Sequence, residues 1–144
     1  MKEMICTVAG LVGSAVASVF GGWTSGMTTL LLFMAGDYIS GIVVAGVFRK
    51  SNKTETGALE SRAGWKGLCR KGMSLVFVLI AYRIDLIIGT NYIRDAVVIA
   101  FITNELISIV ENAGLMGLPL PTVITSAIDI LQKKADKESD ISEN

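Results

Sequence analysis

Apolar residues fall in four blocks, with the charged residues confined between and after them. From Met4 to Gly36 no Asp, Glu, Lys or Arg occurs for 33 positions. As one helix this run would measure roughly 50 Å, too long for a single crossing of a ~30 Å hydrocarbon core. The run must break, and it does so legibly at Gly21-Gly22-Trp23-Thr24-Ser25-Gly26. Three glycines there disfavour helix, and Trp23 suits a membrane interface. The pattern predicts spans at about 4–20, 27–48, 72–88 and 96–112. Each is near the length needed to cross. The competing reading is four buried helices of a soluble bundle. Such helices need a polar outer face at 3.6-residue spacing, and the first two segments lack one. The expected fold class is an all-α integral membrane protein. It has four transmembrane helices, or three if the first does not insert, plus a short C-terminal amphipathic helix.

The transmembrane domain so defined covers 1–118. Gly117-Leu118-Pro119-Leu120-Pro121 then stops the fourth helix. An amphipathic helix is expected over 119–134, with Thr122 as N-cap and Ile124, Ala127, Ile128 and Leu131 on one face. This helix is expected on the cytoplasmic membrane face or on a neighbouring loop. Residues 135–144 are charged and polar and are expected to be disordered. For the first segment a cleaved signal peptide is an alternative. Lys2 supplies a positive start and Ala15-Val16-Ala17 small residues at cleavage-site spacing.

Charge fixes the orientation. Thirteen basic and thirteen acidic residues cancel to zero net charge. The basic ones are nevertheless unevenly placed, with seven in the 49–71 loop, among them Arg49, Lys50, Lys66, Arg70 and Lys71. With both termini inside, eleven of the thirteen basic groups face the cytoplasm, as the positive-inside rule asks. The loop and the C-terminus stay cytoplasmic even with three spans. Within the loop, Trp65 with Lys66, Arg70 and Lys71 reads either as a plain topology signal or as an anchor on anionic headgroups.

Composition removes most chemistry. There is no histidine, the commonest general base and metal ligand. Cys6 and Cys69 cannot make a disulfide framework or a four-ligand zinc site. Zero net charge gives no pull toward nucleic acid. No catalytic, cofactor-binding or metal site is expected. An enzyme using Asp37 and Glu105 as acid and base is the weakest alternative.

The spans themselves carry two features. In the first, Gly10, Gly13, Ser14, Ala17, Ser18 and Gly21 belong to two adjacent rows of small residues at spacing four. Such rows let helices approach closely in lipid. They predict either self-association or packing against the second span, which is also rich in small residues (Gly36, Ser40, Gly41, Ala45). The second feature is ionisable groups at mid-depth: Asp37, Arg83 and Glu105. Each costs roughly 2.5–3.5 kcal/mol if unpaired at that depth, so they should face protein or water. Arg83 is expected either to pair with Asp37 or Glu105 or to line a water-filled path. Asp85, nearly opposite Arg83, needs another partner or the outer interface. On the fourth span Asn104, Glu105, Ser108, Glu111 and Asn112 form one polar stripe. Val98, Ile99, Ile102, Leu106 and Ile109 form a lipid-compatible back.

These residues resemble a known family. Asp37-Tyr38-Ile39-Ser40-Gly41 late in a span, followed by a basic loop, is similar to bacteriophage holins grouped with clostridial toxin-secretion proteins. Asn104-Glu105, Ser108-Ile109 and Glu111-Asn112, then Gly117-Leu118-Pro119-Leu120-Pro121, resemble that family's most recognisable signature. Gly21-Gly22-Trp23 also fits, and the resemblance covers about 10–132. Two departures stand out: a longer loop with Ser51–Ser61, and Thr24 where many members carry an acidic residue. The resemblance implies a protein of the host cytoplasmic membrane that forms homo-oligomers in the bilayer and opens a lesion. The lesion releases a phage endolysin or depolarises the cell; some relatives are linked to toxin export. A small channel or toxin-export pore without a lytic role is the alternative. Met1 and Met4 could also serve as two starts, the shorter product losing Lys2.

Overall fold

A computed structural model describes residues 1–140, and over them the chain is helical with no strand. The helices are α1 (Lys2–Val19), α2 (Ser25–Val43), α3 (Ser61–Ile88), α4 (Ile93–Leu115) and α5 (Thr122–Asp140). A π-helical turn, Val44–Phe48, extends α2. Among the described residues, two helices are long and apolar enough to cross a membrane: Lys2–Val19 and the continuous Ser25–Phe48. The expected four spans are thus not all matched by composition. Helix α3 opens with Arg62, Lys66, Arg70 and Lys71, and α4 carries Arg94, Asp95, Glu105 and Glu111.

The break after α1 follows from its glycines. Gly21 N–H donates to Ser18 O at 3.1 Å and Gly22 N–H to Ala17 O at 2.8 Å, a Schellman closure with Gly21 at φ 81°. A Cβ on Gly21 would lie 2.3 Å from the Tyr82 ring. Gly21 is therefore a turn residue against α3, and the expected association row ends before it. Gly117, at φ 80°, ends α4 with the same pair of bonds, from its own N–H to Gly114 O and from Leu118 N–H to Ala113 O. Thr24 then caps α2, its hydroxyl accepting from Met27 N–H at 3.3 Å.

Helices α2, α3 and α4 pack together. Met27, Leu30 and Met34 of α2 meet Val78 of α3 and Val98 and Ile102 of α4, all buried. Met27, Leu30 and Met34 stand at i, i+3 and i+7, one face of a helix. Val98 and Ile102, part of the lipid-compatible back that the periodicity gives, are core residues. The glycines of α2 face α4: a Cβ on Gly36 would come 3.4 Å from Ile109 Cδ1, and one on Gly26 3.3 Å from Val98 Cγ1.

Two expected boundaries move. Residues 61–71 are the first turns of α3, so the irregular loop is only 49–60. It begins at Arg49 in the left-handed region (φ 53°) and is pinned by Ser51 N–H donating to Gly57 O at 3.0 Å. At the other end, α5 continues to Asp140 through residues expected to be disordered. Ala135 and the Lys- and Glu-rich stretch around it are good helix formers. Residues 141–144 of that expected tail lie outside the described residues. Helix α5 docks on α4, with Ile128 buried and Leu131 against the core, while Ile124 of the expected apolar face stays exposed.

Helix α1 stands apart, with none of its residues buried. A Cβ on Gly10 or Gly13 would meet nothing within 4 Å. The small-residue rows are therefore not packed against α2, whose own small residues are turned to α4.

Candidate functional site

The polar residues of the spans converge where α2, α3 and α4 meet. Asp37 sits ten residues beyond Met27 on the buried face of α2, and Glu105 three beyond Ile102 on that of α4. Both carboxylates are buried. Lys71 of α3 reaches between them. Its Nζ donates to Asp37 Oδ2 at 2.7 Å and also to Glu105 Oε2. From α4, Asn112 is buried as well, and its Nδ2 donates to Ser40 Oγ at 2.8 Å, Asp37 Oδ1 at 3.2 Å and Asp37 O at 3.4 Å. Lys53, from the loop, donates to Ser108 Oγ at 3.0 Å and lies 3.7 Å from Asp37 Oδ1. Two carboxylates and two ammonium groups cancel formally, which makes such burial tolerable.

Beside this knot lies a cavity of about 450 Å³ lined by charged and apolar side chains, in part from the 51–60 loop. Asn104 and Glu111 are exposed on its α4 wall, Lys66 and Arg70 on its α3 wall. The predicted stripe on α4 thus divides. Glu105 and Asn112 are buried against partners, Ser108 is half-buried under Lys53, and Asn104 and Glu111 face the cavity. Arg49 and Lys50 are exposed at the start of the loop.

Arg83 does not join the site. It is exposed near the far end of α3, and among the described residues it makes no ion pair. The expected pairing of Arg83 with Asp37 or Glu105 is corrected to Lys71, twelve positions earlier on the same helix. Lys71 was assigned to a loop by its charge; placing it on α3 brings it level with Asp37.

Asp85 has a different role. It is buried, and its Oδ1 accepts from Thr90 Oγ1 at 2.6 Å and Ile93 N–H at 3.1 Å, its Oδ2 from Arg94 N–H at 2.9 Å. Asp85 therefore caps the N-terminus of α4 from across the turn, where Tyr92 supplies no side-chain cap. Arg94 in turn donates from Nη1 to Phe20 O at 3.0 Å and Gly21 O at 2.9 Å, holding the C-terminal carbonyls of α1. Its guanidinium sits 5.9 Å from the Tyr82 ring centroid. Neither role has a local sequence signal, because both contacts cross turns.

Among the described residues no cluster of side chains could hold a metal ion. No solved structure matches the chain. Sequence relatives do. A protein of Listeria innocua is 38% identical over 129 residues, 89% of this chain and 86% of its own length. One from Halalkalibacterium halodurans is 38% identical over 143 residues, 95% of this chain and all of its own. A protein described as a probable holin, from Bacillus phage phi105, is 32% identical over 105 residues, 72% of each chain. The model of the bacteriophage holin family matches residues 14–133, which contain Asp37, Lys71, Glu105 and Asn112. The chain belongs to the bacteriophage holin family.

Proposed function

We propose that the protein accumulates in the bacterial cytoplasmic membrane, assembles with copies of itself and permeabilises that membrane. The opening releases an endolysin to the cell wall or depolarises the cell. Family membership implies membrane localisation and points to a non-enzymatic protein. The observation that carries the reading further is α1, an apolar helix of spanning length on which no residue is buried. Such a surface is stable in lipid or against other helices, and its small-residue rows suit close helix contact. Four spans with a cytoplasmic C-terminus best suit the charge distribution. In that topology α5, too polar for lipid, leaves its seat on α4 for the cytoplasmic surface. The Asp37–Lys71–Glu105 knot and the stripe of Asn104, Ser108, Glu111 and Asn112 are the groups available to line water once subunits assemble.

Timed expression in a bacterium tests this, following growth and membrane potential. Abrupt arrest with depolarisation and release of a co-expressed endolysin is the expected result. Continued growth with intact potential at high membrane levels would overturn it. Depolarisation without release of the endolysin would favour a small channel instead.

A further inference from the structure

Two depressions meet at Arg70. One is the cavity beside the knot, where Arg70 and Lys66 present charges that the Asp37–Lys71–Glu105 knot does not use. The other is an apolar groove of about 350 Å³ between Cys69, Met73 and Phe77 of α3 and Phe101 of α4. Arg70 and Ser74 line both. Cys69, Met73 and Phe77 are spaced by four and form one row along α3. From Cys69 to Phe77 that row runs roughly 12 Å along the axis. A chamber with charged walls and a shallow apolar depression therefore adjoin at Arg70 and Ser74, on the helix that leads from the basic stretch into the apolar one. Trp65, exposed five residues before Arg70 within the basic stretch, suits a membrane interface.

We propose that this joined site binds a phospholipid with a zwitterionic, primary-ammonium head, a phosphatidylethanolamine. The phosphate sits against Arg70 and Lys66, where a guanidinium gives paired, charge-assisted donors. One acyl chain lies in the groove over Phe77 and Phe101. The balance of charge selects the head. With the knot and Lys53 neutralising one another, the cations left in the cavity wall are Lys66 and Arg70, and the carboxylates left are Glu60 and Glu111. Glu111 is exposed there without an ion pair among the described residues, and it suits an ammonium. A purely anionic head would leave that carboxylate facing like charge.

The inference rests on the membrane placement proposed above, but its readout is bound lipid and not lysis. The full chain is reconstituted in nanodiscs of equal dioleoyl phosphatidylethanolamine, phosphatidylglycerol and phosphatidylcholine. Lipid retained after release is counted by native mass spectrometry. Phosphatidylethanolamine is expected to be retained preferentially. Arg70→Gln should lower retention roughly tenfold, the loss of one charged hydrogen-bond partner. Glu111→Gln should shift the preference toward phosphatidylglycerol, a change that general loss of folding would not produce. Lys133→Gln on α5, which lines neither depression, should leave both unchanged. Equal retention of all three lipids, or a preference untouched by Arg70→Gln and Glu111→Gln, would overturn the proposal. A chain that lyses cells yet retains no such lipid overturns this inference alone. One that retains it and fails to permeabilise overturns only the proposed function.

Discussion

Lys71 Nζ lies 2.7 Å from Asp37 Oδ2, tying α3 to α2, and the same ammonium also donates to Glu105 of α4. Three helices thus share one half-buried cation. Lys71→Met would leave the buried Glu105 without its ion partner and Asp37 with only the more distant Lys53. Removing one member of such a pair costs about 3–5 kcal/mol. A large drop in thermal unfolding temperature in detergent is expected, and the double variant with Glu105→Gln should recover part of it. Arg83→Gln, outside the knot, should stay within about 0.5 kcal/mol of the parent. Equal effects of the two cations would count against the knot as a structural centre.

Asp85→Ala should weaken the α3–α4 turn. The substitution removes acceptors for Ile93 N–H, Arg94 N–H and the Thr90 hydroxyl. A lost cap costs about 0.5–2 kcal/mol. Hydrogen exchange should rise at the first turn of α4 and at the end of α1, which Arg94 holds. Exchange confined to the loop 49–60 would contradict that connection.

Gly21 and Gly13 should behave oppositely, although both were read from the same rows of small residues. Gly21→Ala forces a Cβ toward the Tyr82 ring in a backbone conformation disfavoured for L residues. Such strain is of order 1–3 kcal/mol. Gly13→Leu meets open space and should leave unfolding unchanged. If α1 mediates assembly, Gly13→Leu should delay the onset of lysis in timed expression; unchanged onset would remove α1 from that role.

The seat of α5 gives a fourth test. On a background with Cys6→Ser and Cys69→Ser, a thiol introduced by Ile128→Cys is buried while α5 is docked on α4. In inverted membrane vesicles it should react with an impermeant maleimide, because the proposed topology places α5 on the cytoplasmic surface. Protection in vesicles equal to that of a thiol at core position Val78 would refute that release.

What could be read ahead of the structure depended on range. The exposed, apolar α1 and the junction at Gly21-Gly22 were legible because each is local: a run without charge and a pair of glycines. The convergence of Asp37 with Glu105 and Asn112 was half legible, since the stripe on α4 is a periodicity. Lys71 as the shared cation was not. Its charge marked it as loop, whereas packing of α3 carries the helix back to Ser61. Helix boundaries set by tertiary contact override the charge pattern that suggests them. The place of Val98 and Ile102 stayed open for a related reason. An apolar face compatible with lipid is equally compatible with a core, and only the partner, here Met27 and Leu30, distinguishes them. The capping of α4 by Asp85 joins residues eight and nine apart across a turn, a separation without periodic signature.

Helix α1 is fastened to the bundle at one end, where Arg94 grips Phe20 O and Gly21 O, and touches it little elsewhere. Selection on the fold and selection on α1 are thereby uncoupled. Most substitutions along residues 2–19 should leave the folded bundle intact, since none of these residues is buried. Their effects are confined to how α1 meets its surroundings, so variation there can reset behaviour in small steps without the chain first losing its shape. A lineage could retune this helix rapidly while Asp37, Lys71, Glu105 and Asn112 hold still.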